Sequence, residues 1–199
     1  MARSDDLHSL PAGLPIPVDD GACGHLTGVE LPDVLLPSTD GRSVGLRQVT
    51  EEWLVLYFYP RTGLPDQDPP GGLEVWDAIP GARGCTPQAC AYRDHHAELS
   101  RAGAGVYGVS TQPTAYQREA ATRLHLPFEL LSDERLELAR ALRLPTFDVA
   151  GMTLIQRLTL IARARRIVRC HYPVFPPDAD AGRVLAYLEG EISAARPSG

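Results

Sequence analysis

The strongest hydrophobic signal is Trp53-Leu54-Val55-Leu56-Tyr57-Phe58-Tyr59, an unbroken apolar and aromatic run stopped by Pro60. A run that short and bounded by Pro predicts a strand buried on both faces, as at the centre of an α/β sheet. Gly105–Ser110 predicts a second buried strand, and Phe128–Leu131 a short third. Thr153–Ile161 alternates as a strand, with Ile167–Tyr172 as its antiparallel partner across a turn at Arg163–Arg166. Helical patterns lie between them. One runs from Cys85 to near Gly103. Another spans Pro113–His125, with its Pro at the start. A third is capped by Ser132, with Asp133 and Glu134 in its first turn. A last helix covers Asp178–Ile192. Upstream, Asp33–Leu36 and Ser43–Leu46 flank the turn signal Thr39-Asp40-Gly41-Arg42 and predict a β-hairpin. The order predicts an α/β domain over residues 31–195, with a single central mixed β-sheet flanked by helices.

Two stretches lack periodicity. Residues 1–30 are rich in Pro, Gly and Asp and read as an irregular N-terminal arm. Residues 60–84 hold five Pro and five Gly around Trp76 and Ile79. That is too long for a simple connection, and long loops in compact domains are usually functional or mobile. The insert proper is 61–83, with Trp76 available to moor it to the core.

Composition removes several chemistries. The 199 residues suit one ordinary domain. A net charge of −6 weighs against a main role in binding nucleic acid or an anionic membrane. All 19 basic residues are Arg, so there is no Lys for a Schiff base, a pyridoxal-phosphate anchor or a Walker-type loop. The absence of Asn excludes an N-glycosylation sequon and a Cys-His-Asn triad. No apolar run suggests a signal core or a transmembrane helix, and the expected location is cytoplasmic. Four scattered cysteines do not make a secreted disulfide scaffold. In a reducing compartment such residues more often do redox work or bind metal.

The chemistry concentrates in Gly84-Cys85-Thr86-Pro87-Gln88-Ala89-Cys90. Cys85 falls in a first helical turn, where unpaired N–H groups and the helix dipole favour an anion. A thiolate is the nucleophilic form of the residue. Pro87 fits the same turn, since its missing N–H loses no bond there. Cys90 is five residues on, so in a regular helix the two Cα atoms lie roughly 8.7 Å apart on different faces. A disulfide needs them within ~7 Å. Either the two never pair, or the helix start unwinds to let them. A zinc site from Cys85, Cys90 and His95 or His96 is a weaker alternative use of the same residues. Cys23 and Cys170 have no paired spacing and read as small buried hydrophobes.

Tyr57-Phe58-Tyr59-Pro60, then Gly84-Cys85-Thr86-Pro87-Gln88-Ala89-Cys90-Ala91-Tyr92-Arg93-Asp94, then Gly108-Val109-Ser110 resemble the peroxiredoxins. The Cys-x4-Cys spacing followed by Tyr-Arg-Asp is most similar to the bacterioferritin-comigratory-protein or peroxiredoxin Q group. The resemblance implies a thioredoxin-like fold and a peroxidase of hydrogen peroxide or organic hydroperoxides. It makes Cys85 the peroxidatic cysteine and Cys90 the resolving one. Thioredoxin or a similar dithiol is the implied reductant, with no cofactor or metal, in a monomer or homodimer. Arg157-Leu158-Thr159-Leu160 matches the Arg-x-Thr-aliphatic context of the family's active-site arginine. Arg157 also falls on the inner face of an alternating strand, where a buried charge needs an anionic partner. Pro60, Gly84 and Thr86 are the expected substrate contacts. One departure stands out. Ala82 and Ala78 occupy the positions of the family's active-site Thr and Pro, so Thr62 or Thr86 is left to supply a hydroxyl. Two other functions compete. A thiol–disulfide oxidoreductase wants Cys-x-x-Cys, which is absent. A redox-sensing or interaction module needs only the fold.

Overall fold

The structure, a computed structural model, describes residues 6–195. It begins with the expected hairpin, β1 (Leu35–Pro37) and β2 (Ser43–Gly45), with Leu36 opposite Val44. β3 (Trp53–Phe58) follows, every residue buried. The insert contains a short helix, α1 (Leu73–Asp77), where only a loop was expected. The helix expected from Cys85 is two helices, α2 (Cys85–Asp94) and α3 (His96–Arg101), broken at His95. Then come β4 (Ala104–Ser110), α4 (Thr114–Arg123), β5 (Leu130–Ser132) and α5 (Glu137–Leu142). The chain closes with β6 (Thr146–Val149), β7 (Met152–Ile155), β8 (Leu158–Arg163), β9 (Arg166–His171) and α6 (Asp180–Ala195).

The main sheet has the order β5-β4-β3-β8-β9. β3 is central, parallel to β4 and antiparallel to β8, which is why its sequence is apolar on both faces. Leu54, Leu56 and Phe58 point to one side, with Tyr107, Val109 and Leu138 of α5. Trp53, Val55 and Tyr57 point to the other, against Tyr92 and Leu99 of α2 and α3 and Val184 and Leu188 of α6. The arm contributes to the first side. Leu26 and Leu31 are fully buried, and Gly28 and Leu31 donate to the carbonyls of Ile167 (2.8 Å) and Arg165 (2.9 Å). The arm thus covers the outer edge of β9, which would otherwise present unpaired backbone groups.

Two local readings are corrected. Ser132 is not a helix cap: it ends β5 and its hydroxyl donates to the Gln112 carbonyl at 2.7 Å. Asp133 caps instead, accepting from the amides of Leu138 (3.0 Å) and Ala139 (2.8 Å). The strand expected over Thr153–Ile161 is interrupted at Gln156 and Arg157. There the Gln156 amide turns to the Pro145 carbonyl (2.9 Å), and β7 leaves the main sheet to pair with β6. Arg157 therefore occupies a junction rather than a strand face.

Gly108 shows how tightly the second side packs. A Cβ there would lie 2.5 Å from Tyr57 Cζ and 2.6 Å from Leu130 Cδ2. Tyr57 cannot step aside, because it is fully buried and stacked on Tyr92 with ring centroids 4.3 Å apart. Gly108→Ala is expected to cost about 1–3 kcal/mol through overpacking, read as a lower urea midpoint at unchanged slope. A midpoint equal to wild type would mean that the aromatic stack yields.

Candidate active site

α2 starts at Cys85, directly after Gly84 in the left-handed region (φ 93°, ψ 22°). A side chain at Gly84 would also collide with Pro177, whose Cγ would be 2.3 Å away. Glycine is thus required twice over, by conformation and by close approach. The turn places the Cys85 side chain at the helix N-terminus, buried at 4% exposure. Its Sγ donates to the Ala82 carbonyl at 3.6 Å and accepts from Arg157 Nη2 at 3.1 Å.

Arg157 is 3% exposed and spends its donors on the same loop. Nε donates to Gly81 O (3.3 Å), and Nη2 also to Arg83 O (2.9 Å) and Ala82 O (3.4 Å). Nη1 donates to Gln88 Oε1. These oxygen partners are neutral, and the Cys85 sulfur is the further group that the buried guanidinium contacts. Although Arg157 is off the expected strand, it reaches Cys85.

Behind Gln88 lies a buried carboxylate. Gln88 Nε2 donates to Asp180 Oδ2 at 3.0 Å. The same oxygen accepts from Tyr92 OH (2.8 Å) and Thr159 Oγ1 (2.6 Å), and His171 Nδ1 lies 3.6 Å from the other. Burial pushes the Asp180 carboxyl up. The nearby His171 ring, with hydrogen bonds from Thr159, Gln88 and Tyr92, outweighs it and holds the group below the usual carboxylate range. Sequence reasoning missed Gln88 and Asp180. The available signal was the spacing of Cys85, Gln88 and Tyr92, which puts a Gln on the buried face of the helix.

Cys85 opens onto a cavity of about 300 Å³ that Gly84, Thr86, Thr62, Trp76 and Met152 also line. Thr86 and Gly84 are where substrate contacts were expected. Pro60 is not: it packs beside Gly81 and Arg157 in a separate small recess with Pro17. Thr62 commits its hydroxyl to Gln112 Oε1 at 3.0 Å. At the missing Thr position, Ala82 is buried and offers its carbonyl to Cys85, while Ala78 is exposed. Trp76 does moor the insert: it is buried against Phe147 and Met152 of the β6–β7 hairpin.

Cys90 is half-buried on the next turns of α2, and all four cysteines are free thiols. Burial pushes the Cys90 thiol above its ordinary range. Among the described residues, no cluster of His, Cys, Asp and Glu is placed to hold a metal, and no helix is long and apolar enough to cross a membrane.

The comparisons with known proteins agree on one lineage. A family model described as Redoxin matches residues 26–185. Peroxiredoxin Q, chloroplastic, of Oryza sativa subsp. japonica is 32% identical over 185 residues, covering 90% of this chain and 76% of the relative. The crystal structure of peroxidoxin BcpB from Mycobacterium tuberculosis superposes with a TM-score of 0.69 at 27% identity, over 86% of this chain and 99% of that one. The Xanthomonas campestris bacterioferritin comigratory protein, described for its alkyl peroxide reduction activity, gives a TM-score of 0.62 at 24% identity over 91% of this chain and 99% of its own. At that identity the likeness concerns the fold alone.

Proposed function

The chain belongs to the Redoxin family as a peroxiredoxin of the bacterioferritin-comigratory-protein or peroxiredoxin Q group, a peroxidase, and on that premise we propose that Cys85 is the sulfur that attacks the peroxide. The observation that carries the assignment is the 3.1 Å contact of Arg157 Nη2 with a cysteine sulfur at a helix N-terminus. The thiolate attacks the outer oxygen of a hydroperoxide, and the O–O bond breaks. The leaving oxygen takes the electron pair and a proton to depart as alcohol or water, and the sulfur keeps the hydroxyl as a sulfenic acid. Arg157 stabilises the charge as it moves from sulfur to the leaving oxygen.

Cys90 then resolves the sulfenic acid. Its thiol attacks the Cys85 sulfur, hydroxide departs with the Cys90 proton as water, and a Cys85–Cys90 disulfide forms. A thiol kept protonated by its burial brings that proton with it. An external dithiol such as thioredoxin returns both thiols by exchange. The substrate class is hydrogen peroxide and organic hydroperoxides, with Trp76 and Met152 offering an apolar wall to an alkyl group.

Peptide mapping after one equivalent of hydrogen peroxide tests the roles. Wild type is expected to carry a Cys85–Cys90 disulfide, and Cys90→Ser to leave sulfenic, then sulfinic, acid on Cys85. First oxidation at Cys23 or Cys170 would remove Cys85 from the role. A disulfide that thioredoxin and its reductase leave untouched would assign the recycling to another dithiol.

A further inference from the structure

Cys23 and Cys170 read as isolated residues in the sequence, but the fold brings them together. The arm runs antiparallel to the edge strand β9. Leu31 bonds Arg165, Gly28 and Val29 bond Ile167, and Asp20 accepts from Tyr172 OH at 3.0 Å. Between these fixed points the arm carries Cys23 past Cys170 on the same side of the sheet, and the two side chains interact. Both sit on the first side of the sheet, Cys23 buried in the core and Cys170 half-buried at its margin.

We propose that Cys23 and Cys170 are a second redox site, a dithiol that hydroperoxide converts to a disulfide joining the arm to β9. The Cys170 sulfur attacks the outer peroxide oxygen and becomes a sulfenic acid, while its proton goes to the leaving oxygen, which departs as water or alcohol. Cys23 attacks that sulfur, and its proton leaves with the hydroxyl as water. The balance is two thiols and one hydroperoxide giving one disulfide, one water and one water or alcohol. An external dithiol reverses it.

The assignment of roles follows from the surroundings. Contact with Cys170 first, then burial, pushes the Cys23 thiol far above its ordinary range, with Asp20 and Asp19 adding to it. Cys170, with the greater exposure, meets the peroxide, and the buried Cys23 resolves it. Cys23 lies in a local turn, closed by Gly24 N to Gly21 O (3.0 Å) and Leu26 N to Cys23 O (3.1 Å), rather than in the β9 ladder. A turn outside the ladder is freer than a laddered strand to move toward the geometry a disulfide needs.

The staple has a place to act. Upstream of Cys23 the arm meets the active-site loop, Pro17 beside Gly81 and Leu10 beside Gly84. Oxidation fixes the inner end of this segment.

The full-length Cys85→Ser/Cys90→Ser variant isolates the pair. Excess hydrogen peroxide is expected to take its thiol count from two to zero, with a Cys23–Cys170 cross-link in the non-reducing peptide map that dithiothreitol removes. Adding Cys23→Ala to that background should leave Cys170 as a sulfenic acid that dimedone traps. Amide exchange at Gly28 and Leu31 should slow on oxidation, which over-oxidation of single thiols does not produce. Two surviving thiols, separate sulfinic acids, or a cross-link only between chains would overturn the proposal. The same map on wild type with excess peroxide, expected to show both disulfides, guards against misfolding of the variants. Failure here leaves the Cys85 assignment intact, since that rests on wild type at one equivalent.

Discussion

Arg157→Met is expected to lower the second-order rate of peroxide reduction by at least ~100-fold, the scale for removing one donor that stabilises transition-state charge. The substitution keeps length and removes every donor. The Cys85 sulfur loses the contact at 3.1 Å, and the carbonyls of Gly81, Ala82 and Arg83 lose the group that gathers them around it. Both losses act in the same direction: less thiolate stabilisation and a looser loop. A comparison separates them. Gln88→Met takes away the partner of Arg157 Nη1 but leaves the guanidinium, while Asp180 keeps Tyr92 and Thr159. If charge at the sulfur dominates, Gln88→Met loses much less than Arg157→Met. If loop placement dominates, the two are alike. Stopped-flow peroxide consumption measures both, with thermal unfolding as a check on the fold. An Arg157→Met rate within a few-fold of wild type would make the arginine purely structural.

What could be read from the chain alone was local or strongly periodic. The run Trp53–Tyr59 announces β3 because a central strand has no solvent face, and Gly84–Cys90 announces the site because a helix start is written in neighbouring residues. The rest depends on distant partners. The alternation already falters at the adjacent polar pair Gln156 and Arg157, but that is too weak a mark to predict the break. It is made by the Pro145 carbonyl and by pairing with β6. Gln88 looks like any helical Gln until Asp180 arrives from α6. Cys23 and Cys170 look solitary until the arm takes its register along β9. Ser132 and Asp133 are both good cap residues, and only the position of α5 decides between them.

Oxidation of Cys85 and Cys90 is expected to speed amide exchange at Ala89, Cys90 and Ala91 by at least ~100-fold, which corresponds to losing about 3 kcal/mol of local protection. These amides report because the first four of a helix have no intrahelical partner. The pair cannot be bridged across an intact α2, so its first turns must open. The structure sets both limits of that opening. Tyr92 is fully buried, stacked on Tyr57 and bonded to Asp180, so the helix beyond Ala91 stays in place. At the near end Gln88 must leave Arg157 and Asp180, and bonds to charged groups are worth about 1.5–3 kcal/mol each. That cost keeps the reduced helix closed and Cys85 beside Arg157 until the sulfenic acid forms. β3 and β4 lie outside the opening and should exchange equally slowly in both states, and the small loss of helical circular dichroism should reverse on reduction. Equal exchange at Ala89–Ala91 in the two states would mean that Cys90 never reaches Cys85. The resolving sulfur would then be external or come from the Cys23–Cys170 pair, and α2 would remain a rigid frame throughout turnover.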